Sequence, residues 1–189
     1  MDVLINNAGI NVGDDLSLDG AKRTMDTNYR GTLAMCTGLM SKMTDGGRIV
    51  NLSSTASTLR LYPRDIQQRF RSVSRLDEID SLANEYLGSL AESSSVWPPI
   101  RQSYSVSKAC LNAGTRVLAK QNPHILINCC CPGWVDTEMG SIMGSAPKTP
   151  EEGSRIPVHL AMADIGHTTG QYWGNDSISD TGVGRIQPW

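Results

Sequence analysis

Val3-Leu4-Ile5-Asn6-Asn7-Ala8-Gly9 decides the fold. Three apolar residues, two of them β-branched, run straight into a polar, turn-forming end. A short run with no polar alternation reads as a strand buried on both faces, which is the habit of parallel sheets. The pattern returns twice. Arg48-Ile49-Val50-Asn51-Leu52 ends in Ser53-Ser54, and Ile125-Leu126-Ile127-Asn128-Cys129 closes near Pro132-Gly133. Helical stretches lie between them. Residues 17–43 carry a rough apolar stripe through Met25, Leu33, Cys36, Leu39, Met40 and Met43, broken by Gly46-Gly47. A second helix is predicted from residue 103 to about 121. A third starts at Thr149-Pro150-Glu151-Glu152, a cap followed by proline at the first helical position and glutamate at the third, and Pro157 should kink it. Gly170-Gln171-Tyr172-Trp173 offers a last short strand, and residues 175–184 read as loop. Strands alternating with helices predict an α/β fold, a doubly wound parallel sheet. In such sheets the ligand crevice lies beyond the carboxyl ends of the strands. The polar strand ends named above fall there.

Composition excludes several classes. A net charge of −2 over 189 residues gives no electrostatic case for nucleic acid or an anionic membrane surface. No apolar run reaches the length of a membrane span. Met1-Asp2 leads directly into a strand, so no signal peptide is expected, and the chain reads as cytoplasmic. Neighbouring side chains on a strand face opposite ways, so the Cys129-Cys130-Cys131 triplet cannot chelate one ion from one face. Reduced, buried thiols are expected and no metal site.

Residues 59–100 differ in character, being rich in Arg, Asp, Glu and Ser and ending near Trp97-Pro98-Pro99. Leu76, Ile79, Leu82, Ala83, Tyr86 and Leu90 are spaced for an amphipathic helix. Ser74, with Asp77 three residues on, could cap its start. The segment is expected to be a mostly helical insertion.

Tyr104 and Lys108 are four apart on a predicted helix and share its face. Alone, such a pair is commonplace. Here it joins four further segments: Asn6-Asn7-Ala8-Gly9, Thr27-Asn28-Tyr29-Arg30-Gly31-Thr32, Val50-Asn51-Leu52-Ser53-Ser54 and Cys131-Pro132-Gly133-Trp134-Val135-Asp136-Thr137. In this order they resemble the motifs of the short-chain dehydrogenase/reductase family along essentially the whole chain. The long stretch between Ser54 and Tyr104, with its Trp97-Pro98, resembles the monomeric NADPH-dependent carbonyl reductases of that family.

The resemblance implies a Rossmann-like sheet and a reaction. Tyr104 would be the general acid for carbonyl reduction, and Ser54 rather than Ser53 would hydrogen-bond the substrate carbonyl. Lys108 would lower the pKa of Tyr104 and bind the nicotinamide ribose. Asn28 would hold a water in a proton relay to Lys108. Asn7, Ala8 and Gly9 would lie against the cofactor. Pro132, Gly133, Val135, Asp136 and Thr137 would cup its nicotinamide, and Trp134 would wall the substrate site. The physics agrees: a free tyrosine titrates near 10, and an adjacent ammonium draws it toward neutral operating conditions. Two hydroxyls converging on one carbonyl oxygen act as an oxyanion hole. The resemblance also implies NADPH as cofactor and ketones, aldehydes or quinones as substrates. By the same resemblance, the insertion covers a helix face used elsewhere for oligomerisation, so a monomer is expected.

The family's opening βαβαβ unit, with its Gly-rich pyrophosphate turn, has no counterpart in these residues, because Gly13 and Gly20 lack the strand–turn–helix setting. The chain therefore reads as an N-terminally truncated, C-terminal catalytic portion of the domain. Weak cofactor affinity, an exposed apolar edge at the first strand, and poor stability or activity alone are expected. Two other readings stand beside the carbonyl reductase: a short product with only a binding or regulatory role, and an alcohol-oxidising short-chain dehydrogenase.

Overall fold

The computed structural model describes residues 1–13, 15–91, 97, 102–142 and 144–189. A five-stranded sheet runs through it in the order β1 (Val3–Asn6), β2 (Arg48–Leu52), β3 (Leu126–Cys130), β4 (Tyr172–Gly174) and β5 (Arg185–Ile186). The first four strands are parallel and β5 is antiparallel. Register is direct, with Leu4 opposite Ile49 and Ile49 opposite Ile127.

Strand alternation sends side chains to two cores. Ile49 and Ile127 pack with the first core, under α1 (Leu18–Met25), α2 (Thr32–Leu39), α4 (Leu76–Ala91) and α5 (Gln102–Gln121). Val50, Leu52 and Cys130 face the other way, onto Ile156 and Leu160 of α7 (Pro150–Met162). The sheet is covered on both faces, as the doubly wound architecture requires. The exception is β1. It is an edge strand, half-buried at Val3 and Leu4, and Ile5 is 42% exposed. Its apolar run alone reads as buried on both faces, but among the described residues β2 is its one neighbour in the sheet, in line with the exposed apolar edge expected for the first strand.

The helix over residues 17–43 forms, but not as a uniform α-helix. Ser17 caps α1, Asp26–Gly31 is a π-helical turn, α2 follows, and Met40–Lys42 closes it as a 3-10 turn. The insertion is helical over α3 (Arg64–Ser72) and α4. Its cap differs from expectation: Glu78, not Asp77, accepts from the Ser74 and Arg75 backbone amides, while Asp77 pairs with the Arg75 guanidinium. Glu78 lies one residue deeper in the first turn, where a carboxylate can fold back to the helix entrance. Trp97 stands at the centre of an aromatic cluster, edge-on to Tyr62, Phe70 and Tyr86 at centroid distances of 6.1, 6.4 and 5.5 Å. The Pro98-Pro99 end of the insertion lies outside the described residues.

A short α6 (Glu138–Ser141) was not foreseen. In α7 the expected capping box forms between Thr149 and Glu152, and the helix continues through Pro157 to Met162. The third strand sits one residue later than its apolar run suggests, and the fourth begins only at Tyr172. β5 is too short for any sequence pattern. All five cysteines are free and buried. Among the described residues no helix is long and apolar enough to cross a membrane.

Candidate active site

The carboxyl ends of β1, β2 and β3 converge on the first turns of α5. Lys108 comes from α5, is 4% exposed, and donates from Nζ to the Leu52 carbonyl at the end of β2, 2.6 Å away. Its ammonium stands 5.7 Å from the centre of the half-buried Tyr104 ring, so the i,i+4 pair does share one face. Burial pushes the Lys108 ammonium down to about 8, and nearby Cys131, Cys130 and Cys129 only partly oppose this. No carboxylate is among the groups that shift it.

Asn28 sits in the π-helical turn and is fully buried. The widened turn turns its amide toward the β1 end. Oδ1 accepts from the Ile10 amide at 2.7 Å, and Nδ2 donates to the Ile10 carbonyl and to Ser107 Oγ. Ser107 in turn donates to the Tyr104 carbonyl at 2.7 Å. Asn28 thus ties the residue 7–10 loop to the start of α5. Both of its amide hydrogens are used, so a relay water there could only donate to Oδ1 or to the backbone carbonyl. Ser107 is a linking residue that sequence reasoning passed over, although it lies inside the Tyr104–Lys108 motif.

The two serines after β2 have different surroundings. Ser53 is buried and its hydroxyl donates to Asn112 Oδ1, while Asn112 Nδ2 donates to Ser57 Oγ. Ser54 is half-buried in extended backbone, and its oxygen accepts from the Ala56 amide at 3.2 Å. Its hydroxyl hydrogen can still be offered to the crevice. Asn51 is structural, bridging Asn6 and Thr115. Asn6, not Asn7, ties the first two strands together.

Asn7 and Ala8 are exposed, and Gly9 is partly so. A Cβ on Gly9 would stand 3.2 Å from Asn28 Oδ1 and 3.5 Å from Lys108 Nζ. The bare backbone there leaves a cradle beside a buried cation. The loop after β3 follows the end of that strand. Gly133 has a φ of +88°, which favours glycine, and a Cβ on it would stand 2.6 Å from the Ile178 carbonyl. Trp134 is fixed by its indole N–H on the Gly140 carbonyl. Val135 packs against Gly153, where a Cβ would come within 2.5 Å of Val135 Cγ2. Asp136 and Thr137 are exposed, and Thr137 caps α6. The structure therefore brings Asn28, Lys108, Tyr104 and Gly9 together at one place, with Ser54 and residues 132–137 following the adjoining strand ends. The donor set suits a nicotinamide dinucleotide: a buried ammonium with no carboxylate beside it among the described residues, and a glycine cradle against it.

Comparison with known proteins gives the same family. The family model described as short chain dehydrogenase matches residues 1–64. The chain is 34% identical to Short-chain dehydrogenase/reductase 1 of Saponaria officinalis, over 95% of this chain and 69% of that protein. It is 36% identical to Carbonyl reductase [NADPH] 1 of Mus musculus, over 100% of this chain and 70% of that protein. Among solved structures, salutaridine reductase from Papaver somniferum superposes with a TM-score of 0.80 at 28% identity, over 93% of this chain and 72% of that one.

Proposed function

Because the chain belongs to the short-chain dehydrogenase/reductase family, we propose that its crevice reduces carbonyl compounds, namely ketones, aldehydes or quinones, with NADPH. The observation that carries the reading is the placement of Lys108: a buried ammonium facing the Tyr104 ring at 5.7 Å and the Gly9 cradle at 3.5 Å from a notional Cβ.

NADPH, when bound, supplies the hydride. Asn7, Ala8, Gly9, Lys108 and residues 132–137 would hold it. Tyr104 donates its phenolic proton to the carbonyl oxygen as charge develops there. The Lys108 ammonium favours the negative charge then left on Tyr104. Ser54 hydrogen-bonds the same carbonyl oxygen, so two donors meet the developing charge. Asn28 keeps the residue 7–10 loop and α5 in register. Trp134, held by Gly140, offers an apolar wall suited to aromatic or aliphatic carbonyls.

The test is NADPH-dependent reduction of a quinone such as menadione at high cofactor concentration, since no Gly-rich pyrophosphate turn is present in these residues. Tyr104→Phe should lower kcat/KM by about 10³-fold or more. Turnover that survives this change intact overturns the reading. α4 lies against α1 and α5, and this cover supports a monomer; a stable tetramer on size-exclusion chromatography overturns that part.

A further inference from the structure

A second lysine is, like Lys108, closed off from solvent. Lys148 is 1% exposed and lies in the extended residues before α7. Burying an ammonium is costly unless its hydrogens find acceptors. Here Nζ donates to the Pro132 carbonyl at 2.7 Å and to the Asp180 carbonyl at 2.8 Å. Its side chain passes directly beneath Gly133, where a Cβ would stand 2.9 Å from both Cδ and Nζ. The glycine is thus required twice, by its φ and by the lysine that fills the space a side chain would take. The Lys148 backbone also holds the loop: it forms an isolated parallel bridge with Val135, and its carbonyl accepts from the Asp136 amide at 2.7 Å. On the far side the Trp134 amide donates to the Ile178 carbonyl. The ammonium therefore fastens both the loop at Pro132 and, at Asp180, the segment on which Trp134 leans.

We propose that Lys148 is a positioning residue that sets the conformation of residues 132–136 by clamping them to residues 178–180. On the carbonyl-reductase reading, this fixes the backbone that cups the nicotinamide. Lys148 touches neither substrate nor the Tyr104 hydroxyl in this role; it acts through Pro132, Gly133 and Trp134.

A control is built into the fold. Arg48 is another cation that caps backbone carbonyls, those of Leu160 and Ala163 at the end of α7. Removing it should loosen α7 without touching the loop. The experiment is amide hydrogen exchange on the chain carrying Lys148→Met, Lys148→Gln or Arg48→Met, each compared with wild type and normalised to core amides of β2. Lys148→Met should speed exchange at the Trp134 amide about tenfold, the size of one lost hydrogen bond to a buried carbonyl. Lys148→Gln, which keeps a shorter donor, should fall between, and it decides the matter if the Met variant does not fold. Arg48→Met should leave the Trp134 amide unchanged. Unaltered Trp134 exchange in both Lys148 variants, or an equal rise in Arg48→Met, overturns the clamp. These outcomes need no turnover, so they stand apart from the carbonyl-reductase reading. Where turnover is measured, Lys148→Met should raise KM for NADPH about tenfold with a smaller change in kcat. A loosened Trp134 amide with KM for NADPH unmoved overturns the link to the cofactor.

Discussion

Two lysines lie buried at the carboxyl end of this sheet, and they have opposite surroundings. Lys108 gives one hydrogen bond to the Leu52 carbonyl and otherwise faces Tyr104 and the bare backbone of Gly9. Lys148 divides its donors between two carbonyls and is roofed by Gly133. Burial lowers both from the ordinary lysine value. A buried cation whose hydrogens are only partly used keeps capacity for a ligand and for a neighbouring charge. One with two hydrogens on backbone carbonyls and a glycine packed over it has become framework. The same residue type thus serves chemistry in one place and shape in the other, and acceptor count is the difference.

Replacing each lysine by methionine tests this most severely. Lys108→Met should cost about 10³-fold in kcat/KM for quinone reduction, through loss of the charge beside the acid. Its melting temperature should hold or rise, because a buried ammonium gives way to an apolar chain of similar length. Lys148→Met should do the reverse in stability. Two carbonyls lose their donor at about 1 kcal/mol each, which lowers the melting temperature by about 4–8 °C for a chain of this size. If Lys108→Met destabilises as much as Lys148→Met while quinone turnover survives, the distinction between them fails. Calorimetry and steady-state kinetics on the same preparations decide it.

The serine pair after β2 repeats the contrast on a smaller scale. Ser54→Ala should lower kcat/KM by about 10²-fold, the loss of one donor to the developing oxyanion, with stability little changed. Ser53→Ala should leave turnover alone and cost about 1–2 kcal/mol, because the buried Asn112 oxygen loses its donor. Equal effects at the two positions would make Ser53 part of the reacting set, against its burial.

How much of this was legible in the sequence follows the same line. Lys108 is found because its relation to Tyr104 is local: four residues on a helix always share a face, and the motif around them is familiar. Three central elements are found for the same reason, since β2, α5 and α7 each carry their own periodicity or cap. Lys148 was not singled out. Its partners stand 16 and 32 residues away in the chain, in loops without period, and only folding brings Pro132, Gly133 and Asp180 to one place. The π-helical turn at Asn28 and the two-residue β5 are missed likewise, the first because its register is settled by Ile10 and Ser107, the second because two residues carry no pattern. The apolar run of β1 by itself reads as interior, while its exposed edge was legible from the resemblance, because the family's strands that would cover it have no counterpart here. The spacing of Ser74 and Asp77 suggested a cap, and the choice of Glu78 instead rests on where the Arg75 guanidinium draws Asp77.

The smallest effect expected is on pH, and it separates the two lysines without any substitution in the crevice. Lys108, held near 8 by burial, carries its proton below that value and loses it above. Only the charged form supports the acid role of Tyr104, so kcat/KM should fall by about tenfold per pH unit above about 8. Stability moves the other way. Because the folded-state value lies below the unfolded value of 10.5, the unfolded chain binds more protons between the two, and stability rises with pH across that window. The burial penalty is present in full below about 8 and lifts toward 10.5. Lys148, also lowered by burial, contributes to that rise but not to the activity limb. Lys148→Met should therefore flatten the stability rise in part and leave the alkaline limb of kcat/KM where it is. An alkaline limb that moves with Lys148 would show its ammonium to be in electrical contact with the acid, and the two lysines would then form one unit.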